Sequence, residues 1–450
     1  MSPLAAIVPI GAPSPVSVSS VAAPDPAAVD GGISSGSVAA AQAPAGASYE
    51  LDAEYDVELF LNWKTRRLRL VTSIDLVNAS GGVIDRLHLN TIAAKLGSLR
   101  KLRVWVDGDE ITAKRSGQTI TVPLLDALGP SGTARVKVSF RARLLTTAAG
   151  RGFLFSKRGG IAQMYRFIPW LSRRIPFGSD PHGEPFLTPS SKKVRVTVDS
   201  DRKLKWATSG RRIARSGTRK TFLANDVRDF NIAASPSYRT ATGTSKNGKT
   251  RIVAYTRKID AKRLVRLART ELARYRVKTG IAYPHPTYRV AESSSGLAME
   301  SPGLIWIPRA RSAADHPFLV SHETAHQWFY GIVGNDQATD AFADEAVADY
   351  YSRKAHLSLR PSRCRTARLD LEIRRYSSAC YFEVIYVQGA RFLDGLRRDF
   401  GSGKFRRAMR DYAADNREGI GSNQKLLEAL RDRMGNGVVK RFKKRFPSLY

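Results

Sequence analysis

Residues 318–329 read Phe318-Leu319-Val320-Ser321-His322-Glu323-Thr324-Ala325-His326-Gln327-Trp328-Phe329, with two histidines four apart and a glutamate following the first. On a helix, side chains four apart share a face, so both imidazoles reach one point while Glu323 stands beside it. The bare pentapeptide also occurs in helices that hold no ion. Its flanks argue for one that does. Phe318, Leu319, Val320, Trp328 and Phe329 imply burial, and an ionised Glu323 buried without a compensating charge costs several kcal/mol or is forced neutral. A cation supplies that charge.

Zinc needs a third protein ligand, and a hydrolytic site leaves its fourth position to water. Eighteen residues separate His326 from Glu345, which lies in Phe342-Ala343-Asp344-Glu345-Ala346 ahead of the helical Ala348-Asp349-Tyr350, so a second helix packed on the first can deliver Glu345. His322, His326 and Glu345 are the expected ligands of one Zn2+ per chain. Asp349, one turn after Glu345, is expected to accept the spare ring N–H of His322.

Before this stretch the pattern is of another kind. Tyr55, Val57, Leu59 and Leu61, then Leu68, Leu70, Thr72, Ile74 and Leu76, alternate with period two, as do Val136, Val138, Phe140 and Val194, Val196, Val198. Turn signals at Gly81-Gly82, Asp107-Gly108 and Gly159-Gly160 complete the expectation of an antiparallel β domain over residues 49–237. After a loop at 245–249, Leu264, Leu267, Ala268, Leu272 and Tyr275 mark one face of a helix that stops at Gly280. Short strands are expected at Tyr288–Ala291 and Leu304–Ile307, and helices from 317 to the C-terminus. Residues 1–48 contain no Lys or Arg and are rich in Ala, Pro, Ser, Gly and Val, so they are expected to form a disordered tail. No basic n-region precedes the apolar run that Pro9, Gly11 and Pro13 interrupt, so the tail makes a poor signal peptide as it stands.

The segment His322 to Tyr350, including His326-Gln327-Trp328-Phe329, resembles the zinc site of the aminopeptidase N family of gluzincin metallopeptidases. Leu297-Ala298-Met299-Glu300-Ser301 is similar to that family's exopeptidase motif G-A-M-E-N, and Tyr386-Val387-Gln388-Gly389-Ala390 to its Y-x-K-G-A. Ala162-Gln163-Met164 and Asp180-Pro181-His182-Gly183-Glu184-Pro185 resemble its substrate-binding Gln and D-E-P turn.

The resemblance implies an α+β multidomain chain. An antiparallel β-sandwich or saddle (49–237) would precede a thermolysin-like, mainly helical catalytic domain (238–450). It also implies release of N-terminal amino acids from peptides. Glu323 is then general base and Tyr386 stabilises the tetrahedral intermediate, although on the residues alone Tyr386 reads as a core aromatic on the stripe Phe382, Ile385, Gly389, Phe392. Glu300, with Ala298, Met299 and Gln163, holds the substrate's amino terminus. Three departures qualify this. Leu297 and Ser301 replace the motif's Gly and Asn, Gln388 replaces its Lys, and the sequence ends where many relatives continue into a helical domain over the cleft. An endopeptidase or broad peptidase with an open cleft is therefore the first alternative.

With 73 Lys and Arg against 40 Asp and Glu, the chain carries +33, enough to draw it to an anionic polymer or cell surface. A basic envelope-binding protein with a non-catalytic zinc site is the second alternative, although structural zinc sites usually have four ligands rich in Cys. No specific nucleic-acid motif, phosphate loop or G-x-S-x-G elbow is present, and no apolar window is long enough to span a bilayer. Cys364 and Cys380 lack the close spacing of a zinc site. They are either two buried thiols or one disulfide clipping neighbouring helices of an exported protein. An exported location is the expectation, with a cytoplasmic one as its alternative.

Overall fold

The computed structural model describes residues 47–147, 150–173, 187–309 and 311–450. Asp180–Pro185 and all of the tail except Ala47 and Ser48 lie outside them. Ser48 is buried and donates to the Ser172 carbonyl at 2.7 Å, so packing already includes the end of the expected tail.

Period-two patterning builds the first half. Strand Asp52–Leu61 buries Ala53, Tyr55, Val57, Leu59 and Leu61 and turns Asp52, Glu54, Asp56 and Glu58 outward. Leu59 lies opposite Leu70 and Tyr55 opposite Ile74 on strand Arg67–Val77, so the buried faces of the two strands coincide. The main sheet runs Arg211–Ser216, Arg219–Ala224, Lys193–Ser200, Asp52–Leu61, Arg67–Val77, Thr133–Arg143, Arg100–Val106, Asp109–Ile111. Two four-stranded sheets, which include Ile84–Asn90 and Ile161–Met164, share its core. One pairing departs from the antiparallel expectation: Asp52–Leu61 and Lys193–Ser200 are parallel. Parallel neighbours need a crossover rather than a hairpin, and residues 62–192 supply it.

Between Ser235 and Arg239 the chain passes to a second, mixed sheet, ordered Arg239–Thr244, Arg251–Thr256, Thr287–Ser293, Leu304–Pro308. The helix Ala261–Thr279 links its second and third strands, which are parallel. Asp260 caps the helix by accepting from the Lys262 and Arg263 amides, and Gly280 ends it at φ 77°. Leu264, Ala268, Leu272 and Tyr275 are buried as the stripe predicts. Glu271 joins them, held by the Ser321 hydroxyl at 2.8 Å and His356 Nε2 at 3.0 Å.

Helices Val347–His356, Gly389–Phe400, Ser402–Asp415, Asn423–Met434 and Val439–Arg445 form the rest of the second half. The helical run expected from 317 onward is interrupted, because residues 357–372 carry no helix and Phe342–Ala346 and Phe382–Gln388 are π-turns. A Cys364–Cys380 disulfide, with Cα atoms 5.6 Å apart, ties that loop to the short helix Ser378–Tyr381 instead of joining two helices. The halves are continuous where Ala291, Met299, Leu304 and Trp306 enter the first core. Buried Arg228 crosses the same boundary and donates to the carbonyls of Thr188 at 3.1 Å and Gly419 at 2.6 Å. Among the described residues no helix is long and apolar enough to cross a membrane.

Candidate metal centre

The helix His316–Ala325 starts with Pro317 at its first turn and packs against both Ala261–Thr279 and Val347–His356. Tyr275 and Ser321 share a hydrogen bond at 3.2 Å, and Tyr288 and Thr324 another at 2.8 Å, so the helix is locked in rotation on its polar side as well. His322 and Glu323 project from it, and His326 caps it.

The ligand atoms of His322, His326 and Glu345 converge. The two Nε2 atoms are 3.3 Å apart, and Glu345 Oε2 lies 3.3 Å from that of His322 and 3.4 Å from that of His326. These are the edges of a tetrahedron around an ion with bonds of about 2.0–2.1 Å, the zinc–nitrogen and zinc–oxygen range. Glu345 Oε2 is buried without a hydrogen-bond donor, which a cation would remedy. His326 Nδ1 donates to Asp344 Oδ1 at 2.8 Å and the Phe329 carbonyl at 3.0 Å, leaving the Nε2 lone pair facing the trio. Gln337 Nε2 donates to Glu345 Oε1 at 2.9 Å and fixes the carboxylate from its far side.

The charges agree with that geometry. Burial alone would raise the pKa of Glu345, but the imidazoles of His326 and His322 outweigh it and hold it low. Burial disfavours a charged His326, yet Asp344 and Glu345 more than offset this and push its pKa well up. The same negative charge attracts a metal ion, whose binding at Nε2 would displace the proton. Burial, reinforced by Glu300, pushes Glu323 well above the usual carboxylate range. Its Oε2 is buried without a partner.

Of the remaining expected residues, Tyr386 and Asp349 stand beside His322, and Glu300 lies within electrostatic reach of Glu323. Tyr386 stacks on the His322 ring with centroids 5.8 Å apart and planes at 18°. The turn carrying it is π-helical, so the α-spaced stripe through Phe382 and Gly389 is not the pattern the backbone follows. Asp349 Oδ1 is 4.0 Å from His322 Nδ1, longer than a hydrogen bond, while Asp349 Oδ2 is taken by Arg353. Glu300 is buried and receives the Tyr165 hydroxyl at 3.4 Å. Its neighbour Met299 pairs with Trp306 across a turn at Gly303, while Ala298 is half-buried against the second core. A Cβ at Gly303 would stand 2.5 Å from the Ser209 carbonyl oxygen, and φ there is 76°, so glycine is required. Gln163 Oε1 accepts from the amide and hydroxyl of Ser294 at 2.9 and 2.6 Å, with Nε2 unpartnered. Gln388 points away, donating to Ser362 and to the Cys364 and Thr366 carbonyls.

No family model matches the sequence, and no curated protein does. Solved structures do. The M1 zinc metallopeptidase from Deinococcus radiodurans, as a glutamate-to-alanine mutant, superposes with a TM-score of 0.65 at 19% identity, covering 89% of this chain and 95% of that one. The same mutant bound to a Tyr-Ser-Ala substrate gives 0.65 at 19% identity, covering 90% and 96%. A two-domain M1 zinc metallopeptidase mutant bound to L-arginine gives 0.64 at 19% identity, covering 89% and 95%. This chain has the fold of an M1 zinc metallopeptidase.

Several contributors were not read from the sequence. Asp344 stands beside Glu345, and a second carboxylate next to a proposed ligand is itself a signal. The Gln327 side chain accepts from Gly303 N and donates to Ser301 O, both at 2.9 Å, and so ties the Glu300 loop to the motif helix. Gln337, Arg166, Asp229 and Tyr330 carried no local pattern. Ser301 and Tyr330 both donate to Asp229, and Arg166 Nε stands 3.6 Å from it, which anchors the loop to the β half.

Proposed function

We propose that this protein hydrolyses peptide bonds with a zinc ion held by His322, His326 and Glu345, and that it releases amino acids from free N-termini. The 3.3–3.4 Å triangle of Nε2, Nε2 and Oε2 carries the reading. A bound zinc supplies Lewis acidity, bringing the pKa of water toward about 7 and polarising the scissile carbonyl. Everything else falls to the chain. Glu323, with a free buried oxygen, accepts the proton of the attacking water and passes it to the leaving amine. A carboxyl whose pKa is raised suits both halves of that transfer. The Tyr386 hydroxyl donates to the oxyanion, a contribution worth about a hundredfold in rate.

Glu300 pairs with the substrate ammonium, aided by Gln163 Nε2, and sets cleavage one residue from the end. The fold neighbours bound to L-arginine and to Tyr-Ser-Ala support a site for amino acids and short peptides. The disulfide supports an exported location, since such bonds persist in oxidising compartments.

Two substitutions test this. Glu323→Gln should retain about one zinc per chain by metal analysis while losing about 10²–10⁴-fold in kcat; turnover at the parent rate overturns the assignment. Glu300→Ala should penalise peptides with free amino termini far more than N-acetylated ones. Equal losses on both would favour an endopeptidase working in an open cleft.

A further inference from the structure

Away from the metal centre, a groove of about 460 Å³ lies between the helices Gly389–Phe400 and Val439–Arg445 and the loop at Pro361-Ser362. Arg391, Arg398, Arg441 and Arg445 line it, and no carboxylate does. Among the described residues Arg391 has no carboxylate within ion-pair distance, and it is exposed. Arg445 is directed at neutral oxygens only, the Ala367 carbonyl and Gln388 Oε1. Arg441 pairs with Asp399, and Arg398 shares Asp394 with Arg397 and Lys354. The helix Val439–Arg445 adds exposed Lys440, Lys443 and Lys444 along its length.

Asp399 and Asp394 offset Arg441 and Arg398 from outside the groove, whereas Arg391 and Arg445 have no carboxylate partner among the described residues, so the groove keeps an excess of positive charge that favours a negatively charged occupant. Guanidinium forks match the paired oxygens of phosphate better than a point charge does. The basic row continues past the groove along the helix, which suits a chain of phosphates better than one. Phe392, the aromatic lining residue, is half-buried under Arg445 and packed on Phe442 and Phe446, so no flat ring is offered to a base. We propose that this groove binds the phosphate groups of a base-free anionic polymer and so holds the protein on a polyanionic surface. It is separate from the metal centre: Gln388, which lines the groove, sits two residues after Tyr386 but turns its side chain toward the disulfide loop.

The test measures binding of labelled linear polyphosphate to the full chain across a salt series, with inorganic phosphate and single-stranded DNA as further probes. Arg391→Gln/Arg398→Gln, both at exposed positions, should weaken polyphosphate binding about thirtyfold at low salt and flatten its salt dependence. Arg212→Gln/Arg215→Gln removes the same charge from an exposed strand of the β half and should change binding less than about twofold. Equal losses in the two variants would mean that net charge alone is responsible and would overturn the site. Inorganic phosphate binding as tightly as the polymer would overturn the polymer assignment, and tighter binding of DNA the base-free one. Thermal melts and turnover of a small peptide substrate with a free amino terminus and no charged side chain should match the parent in both variants, so the result is independent of the proposed chemistry.

Discussion

Asp344 shows how one side chain decides what its neighbour can do. By accepting the Nδ1 proton of His326 at 2.8 Å it leaves Nε2 as a lone pair facing His322 and Glu345. Burial raises its own pKa and the His326 imidazole pulls it back, leaving it at about 6, so the pairing with His326 helps keep it an acceptor near neutrality. Asp344→Asn is nearly isosteric but can turn an N–H toward the ring and favour the opposite tautomer. Zinc affinity should fall about 10–100-fold, measured by competition with a chromophoric chelator, and an unchanged affinity would remove this role. The two histidines were legible because a helix repeats every three to four residues and the apolar flanks demanded a charge partner, and Glu345 from its separation from His326 ahead of a helical segment. Asp344 and Gln337 were not. Their contribution depends on how a π-turn and a five-residue helix present adjacent side chains, which no periodicity records.

The two π-turns are the elements that set the spacing of the site. Phe342–Ala346 carries Glu345, Phe382–Gln388 carries Tyr386, and they touch where Gly389 begins the next helix. A Cβ at Gly389 would lie 2.5 Å from Ala346 Cβ and 3.4 Å from the Phe342 ring, so the approach is as close as backbone allows. Gly389→Ala should therefore cost about 1–3 kcal/mol in thermal or denaturant unfolding. It should also lower kcat by moving Tyr386 relative to Glu345; a variant with parent kcat and stability would show that the contact yields freely. The strands were read well because period two leaves little ambiguity, whereas a π-turn differs from an α-turn by one residue within a span too short to reveal it.

At the scale of the molecule, two features bind distant parts of the chain. The Cys364–Cys380 bond closes a loop of sequence separation 16, and Cys364→Ser/Cys380→Ser should lower unfolding free energy by about 3 kcal/mol. Denaturant midpoints with and without reductant check this: reductant should shift the parent toward the variant and leave the variant unmoved. The second feature is the parallel pairing of Asp52–Leu61 with Lys193–Ser200, which alternation could not predict because it names a strand's buried face and not its partner. During synthesis at ~5–20 residues per second, the early strand waits roughly seven to thirty seconds for the later one to leave the ribosome. Through that interval one of its edges is open to other nascent chains. The row Asp52, Glu54, Asp56, Glu58 gives that edge four negative charges, which repel a second copy of the same strand and later receive Lys193 from the proper one.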